Sequence, residues 1–448
     1  MSQDRVVAKL QALVRIATVS DRDPAQVDRA AFDDLLAELE RQFPLLHDRL
    51  ELTRVATHGL LFHWSGRAQE RPVVLMGHLD VVPVDDTAPW RHPAFGGDIV
   101  DGELWGRGTL DDKGCVVGIC EAVERLLEQD FTPAQDVWLS FGCDEEVSGG
   151  AARMAVEELE RRGVRPWFVL DEGGAVAHGA FPGVKPPVAV IGVTEKGVTS
   201  LLLTAQGRGG HASTPARNGP TARIARAINR LEKAPFPSSL PAPTRELMTR
   251  LAPHAPVALR PLMGNAERLA PLLTRALVAA GPESAAMTRT TLAATTLSGS
   301  PALNVIASRA TAGLNLRILV GDSVDGVIAH VRKTIRDKTI DIEVVEANEP
   351  SPLSPYDGDE AFDLLAATIA ADFPDAVVSP YVMMAATDSR FFTGICERVY
   401  RFAPFRMSKA QREAIHSYDE RIGVDDFVAG VDWYQHLIEG LDHRTEPA

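Results

Sequence analysis

The chain has 448 residues, too many for one ordinary hydrophobic core, so two or three domains are expected. Its 61 Asp and Glu against 46 Lys and Arg give a net charge of −15, which argues against nucleic acid or an anionic membrane surface as the main partner. Hydrophobic residues at 45% and charged residues at 24% exclude wholesale disorder.

In chain order, Val6, Val7, Leu10, Leu13, Val14 and Ile16 keep helical spacing, and a second helix is expected over residues 29–42. The run 72–77 is continuously apolar, the pattern of a strand buried on both faces, and it ends at His78-Leu79-Asp80. Leu110-Asp111-Asp112-Lys113-Gly114 opens a helix. A strand over 136–142 ends at Cys143-Asp144-Glu145-Glu146, and a helix over 150–162 leads to a strand 167–170 that ends at Asp171-Glu172. Strands alternating with helices predict an α/β unit with a largely parallel sheet. Near Thr194 the character changes. Strands at 198–205, 291–297, 312–319 and 340–346, with helices at 221–233 and 324–336, predict a small α+β, ferredoxin-like sandwich inserted into the first unit. The expected division is 1–193 and 349–448 against 194–348, with hinges near Val193 and Asn348. Residues 235–290 hold nine prolines and read as a helical, irregular elaboration. The four cysteines, Cys115, Cys120, Cys143 and Cys396, form no CxxC pair and read as buried thiols of a reducing compartment. With no secretory signal and no run of ~18 apolar residues, a soluble, cytoplasmic protein is expected.

Ligands of open α/β sheets bind beyond the carboxyl ends of the strands. Three predicted strands end in His78/Asp80, Glu145/Glu146 and Asp171, and a helix begins at Asp111. An isolated strand-end histidine is ordinarily satisfied by backbone, Asp111-Asp112 alone reads as a helix cap, and a lone Glu145-Glu146 reads as a solvated turn. Together they are different, because carboxylates gathered on one edge repel unless a cation holds them. His78 is then a metal ligand with Asp80 behind its ring. One of Glu145 and Glu146 binds metal while the other stays free as a base. Asp171, closing an apolar strand, needs a partner, with Glu172 as the alternative ligand. Such a set suits a pair of borderline divalent cations, zinc first, with Co²⁺ or Mn²⁺ as substitutes. The second histidine is taken as His416, with His92 and His178 as competitors among twelve. HExxH, GxSxG and P-loop patterns are absent, and 106–111 lacks the third glycine of a dinucleotide fingerprint.

Gly77-His78-Leu79-Asp80-Val81-Val82-Pro83, residues 105–114, Asp144-Glu145-Glu146-Val147-Ser148-Gly149-Gly150 and Gly210-His211-Ala212-Ser213-Thr214-Pro215 resemble the M20 family of zinc metallopeptidases and amidohydrolases. The Leu-Asp-Asp-Lys-Gly form and His416-Ser417-Tyr418-Asp419-Glu420 look most like the carboxypeptidase S (Gly-Xaa carboxypeptidase) branch, which also contains hydrolases of N-acyl amino acids. The resemblance implies a zinc-peptidase-like unit with one zinc on His78 and Asp171, a second on Glu146 and His416, and Asp111 bridging. Asp80 would orient His78 and Glu145 would be the general base. The inserted unit would be a lid and homodimerisation domain, whose His211 reaches an active site, that of the partner subunit, to stabilise an oxyanion. Asn304 and Arg317 match positions that touch the substrate or its carboxylate. A short peptide or an N-acyl amino acid is the implied substrate. Two departures stand beside the pocket: Ala307, where the family often has proline, and Met383-Met384-Ala385-Ala386, where it often has a glycine-containing loop.

Overall fold

The computed structural model describes residues 3–441 apart from Asp86, Ser148 and the Glu283 side chain. Ser148 of the 144–150 motif therefore lies outside the described residues. Two sheets organise the chain. The larger runs Glu51–Val55, Gly59–Trp64, Gln135–Gly142, Ala68–His78, Phe168–Asp171, Val399–Arg401, Val188–Glu195, Ala175–Ala177, Arg406–Met407, with Val377–Met383 also on Val188–Glu195. Its centre is parallel: Ala68–His78 pairs with Gln135–Gly142 and Phe168–Asp171, and Phe168–Asp171 with Val399–Arg401. The outer hairpin Glu51–Val55/Gly59–Trp64 is antiparallel.

The apolar run at its centre is apolar because both faces are covered. Val73 and Leu75 join the core under the helices Lys113–Glu128 and Val424–Gly440, while Val74 and Met76 point the other way, under Gly150–Arg161. Sequence periodicity missed the hairpin, whose strands are short, but placed the central elements within a few residues.

The second sheet is inserted between two strands of the first. Its order is Thr291–Ser298, Arg309–Ile318, Gly197–Gln206, Ile340–Ala347, all antiparallel. Leu201, Leu203, Leu314 and Leu316 pack under the helices Pro220–Lys233 and Val324–Ile335, so this sheet has one covered face. Along Arg309–Ile318 the buried residues alternate with half-buried Thr311, Gly313, Asn315 and Arg317 on the opposite face. A two-residue ribbon, Gly210–His211 with Val305–Ile306, stands beside it.

The stretch 235–290 is helical, with Ala242–Leu251, Arg260–Gly264, Ala270–Ala280 and Pro282–Ala286. Its apolar side chains Leu247, Leu251, Met263 and Leu273 pack with Val184, Val188 and Val190, next to Tyr381 and Met384. Although inserted in the second unit's sequence, it is seated on the edge of the first sheet. The four cysteines are buried and free. Among the described residues no helix is long and apolar enough to cross a membrane.

Candidate metal centre

The strand Ala68–His78 delivers His78 to the carboxyl edge of the sheet, 1% exposed. Its Nε2 lies 2.9 Å from Asp111 Oδ1; its Nδ1 lies 3.0 Å from the Asp80 carbonyl and 3.4 Å from Asp80 Oδ1. Asp80 is held in turn by the Ser20 hydroxyl at 2.7 Å and by the amides of Glu145 and Glu146 at 3.1 and 3.2 Å. The ring is thus oriented from behind, as carboxylate–histidine pairs prepare a metal ligand. Gly77 is required by close approach: a Cβ there would stand 2.7 Å from Asp112 Oδ2, the oxygen that accepts the His78 amide at 3.1 Å.

Asp111 faces a histidine with each oxygen. Its Oδ2 lies 3.0 Å from His416 Nε2, which also lies 3.1 Å from Glu146 Oε2. One donor atom each from His78, Asp111 and Glu146 fall within 4.8 Å of one another. Asp171, at the end of Phe168–Asp171, is outside that trio, and its oxygens accept the amides of Glu172 at 2.9 Å and Ser389 at 2.8 Å. His92 sits instead 3.2 Å from Asp98, tilted against Trp105.

The electrostatics are those of crowded, desolvated acids. Burial pushes the Glu145 carboxyl well above the usual range; His78 opposes that, and Asp388, Glu146 and Asp111 add to it. Burial and the negative charges of Asp111 and Asp112 raise Glu172 likewise. For His78 burial works downward, but hydrogen bonds to Asp111 and Asp80 outweigh it and raise the ring well above its ordinary value. Asp111 first and then Glu146 push the His416 imidazole up to about 10. Asp388 is buried, its two oxygens have no hydrogen-bond partner among the described residues, and one lies 2.2 Å from where a Gly149 Cβ would be. Anionic donors converging on imidazoles, with an uncompensated carboxylate behind them, fit divalent cations.

The three residues expected from the second unit are arranged differently. His211 and Asn304 are exposed and joined through the ribbon, where the Ala212 amide donates to the Asn304 carbonyl at 3.1 Å. His211 Nδ1 accepts the Ser213 amide at 3.1 Å, which leaves the proton of a neutral ring on Nε2. Arg317 has no hydrogen bond or ion pair among the described residues. It pairs across strands with Val198 and Thr291, so Lys196 and Arg289, two residues before each, are its diagonal neighbours. Lys196 Nζ donates to the Arg289 carbonyl at 2.9 Å.

Residues 74–440 match the model of Peptidase family M20/M25/M40. The chain belongs to this family. Among curated sequences it is similar to a probable carboxypeptidase S-like 2 of Dictyostelium discoideum, 36% identical over 90% of this chain and 78% of the relative. The N-fatty-acyl-amino acid synthase/hydrolase PM20D1 of Xenopus tropicalis is 34% identical over 99% of this chain and 87% of the relative. The fold is shared with an M20 metallo-carboxypeptidase, Sso-CP2, of Sulfolobus solfataricus, at a TM-score of 0.70 and 17% identity, covering 97% and 99% of the two chains.

Several residues that hold this M20 site escaped the sequence reading. Ser20 on Asp80 and the buried Asp388 give no local signal. Lys113 stands inside the 105–114 motif; its Nζ is buried and donates to the carbonyls of Leu13 at 3.0 Å and Ile16 at 2.5 Å, fastening the N-terminal segment beneath the site. Lys196 and Arg289 flank Arg317 only once the register is known. Arg107 and Glu420 stand inside sequence motifs that assign neither of them a role.

Proposed function

We propose that this chain is a di-zinc hydrolase that cleaves an amide bond adjacent to a free carboxylate in short peptides, as a Gly-Xaa-type carboxypeptidase or dipeptidase. The observation that carries the reading is the convergence of His78, Asp111 and Glu146 donor atoms within 4.8 Å, with His416 across Asp111 and the half-buried Glu145 adjoining. His78, Asp111, Glu146, Asp171 and His416 would hold the ions. When bound, a pair of divalent cations supplies positive charge that polarises a carbonyl and lowers the pKa of water from 15.7 toward about 7.

The chain's own residues do the rest. Asp80 fixes the His78 ring through Nδ1. Glu145, raised by burial, takes the proton of the attacking water and passes it to the leaving amine. His211, carrying its proton on Nε2, donates to the developing oxyanion. Because His211 is exposed, the second unit acts as a lid and dimerisation surface that brings the ring to an active site, that of the partner subunit in a homodimer. Arg317, supported by Lys196 and Arg289, takes the substrate carboxylate, bidentate where geometry allows.

N-acyl amino acids are the second reading. The full-length similarity to N-fatty-acyl-amino acid synthase/hydrolases and the apolar Met383, against Gly173 two residues beyond Asp171, favour it. Turnover of Gly-Xaa dipeptides, N-acetyl amino acids and long-chain N-acyl amino acids by the zinc-loaded protein separates the two. Hydrolysis of none of them would remove the proposal.

A further inference from the structure

Glu420 is fully buried, four residues beyond His416, and its carboxylate is saturated from inside the protein. Oε1 accepts the amides of Gly108 at 3.0 Å, Leu110 at 2.9 Å and Asp111 at 3.2 Å; Oε2 accepts from Arg107 Nη1 at 2.5 Å. The Glu420 carbonyl accepts the Gly106 amide at 2.9 Å, and Arg107 Nη2 returns to the Ser417 carbonyl at 2.6 Å. Three amides converging on one carboxylate form an anion nest, here filled by a residue of the same chain. The near-miss glycine stretch 106–111 is the wall of that nest.

The two segments so tied carry the two partners of the Asp111–His416 contact at 3.0 Å. His416 and Asp419 both adopt left-handed backbone, φ 60° and 64°, sparsely populated for residues with a Cβ and held only where the surroundings over-determine it. Arg91 holds the Asp419 carboxylate at 2.8 and 2.7 Å, and Glu420, anchored immediately after it, fixes the chain on its other side. We propose that Glu420, with Arg107, is a positioning residue that sets the separation of Asp111 and His416 and so prepares the second metal position. It touches neither substrate nor reacting atoms. This inference rests on the metal-hydrolase reading above.

The test is Zn²⁺ titration of full-length apo protein by calorimetry, with no substrate present, supported by the Co²⁺ absorption spectrum. Glu420→Gln keeps the shape but loses the charge facing Arg107. It is expected to weaken one of two zinc sites by about 10- to 100-fold, the usual cost of losing a residue that orients a ligand, and to alter the cobalt spectrum. Arg107→Gln, a milder variant that leaves the three amide bonds in place, should weaken the same site less. The decisive comparison is a double-mutant cycle: in a His416→Ala background, Glu420→Gln should change zinc affinity less than twofold. An equal effect with and without His416, at unchanged thermal midpoint, would make Glu420 a general structural residue and overturn the inference. So would wild-type affinity in folded Glu420→Gln. If wild-type protein binds no zinc, the hydrolase reading falls, and this inference with it.

Discussion

The carboxyl edge of the large sheet and the open face of the small one are built to opposite standards. At the first, His78, Asp80, Asp111, Glu146 and Asp171 are each held by another residue of the chain, through contacts of 2.7 to 3.4 Å. Beside the second, His211 and Asn304 are exposed at the ribbon, and on its open face Arg317 has no hydrogen bond or ion pair among the described residues. Cations need ligands fixed before they arrive, since a loosely held carboxylate relaxes toward water instead. A group that meets substrate late in the cycle gains from being mounted on a unit that can move. On the proposed reading, the first is the pre-organised half of the site and the second the half that must be completed.

The most severe break falls on the rigid half. Glu145→Ala should bind zinc as wild type does but lose about 10²–10⁴ in kcat, the usual share of a general base; kcat near wild type would remove Glu145 from that role. On the movable half, His211→Ala should leave metal content unchanged and lower kcat by about 10²–10³. Mixing it with a His78→Ala protein should restore activity if the histidine serves a partner subunit. Exchanged heterodimers without activity would place its action within one chain. Arg317→Met should raise KM for carboxylate substrates about 10- to 100-fold with a smaller change in kcat, as expected for one charge-assisted contact.

The smallest effect is on pH. Burial first, and then the charge of Arg317, lower the Lys196 ammonium to about 8 from an ordinary 10.5. A bound carboxylate favours the charged form, so inhibition by a carboxylate product should weaken as pH rises through about 8. It should stay strong below that value. Lys196→Met should abolish this limb; an identical limb in the variant would take Lys196 out of the carboxylate site.

What the sequence reveals follows the same division. Strand-end chemistry is legible because a short uninterrupted apolar run such as 72–77, bounded by polar residues, fits a doubly covered strand, which places the charged residues that stop it at the sheet edge. His211, Asn304 and Arg317 have no such local grammar; they were found through the motifs of a family. The pairing of Glu420 with Arg107 has no sequence signal, since it spans 313 positions and no periodicity encodes it. The seating of 235–290 on the large sheet was hidden for the same reason: its apolar positions show that it packs, not against what. Asp388 gives no local signal, and only its burial, with neither oxygen hydrogen-bonded among the described residues, reveals it behind the site.

The pre-organised edge is tested most simply by counting metal. Elemental analysis of the full chain after equilibration with Zn²⁺ and removal of loose metal should give about two zinc per chain, and about one in His416→Ala with the thermal midpoint otherwise intact. No retained zinc in correctly folded wild-type protein, or the same count with and without His416, would contradict it.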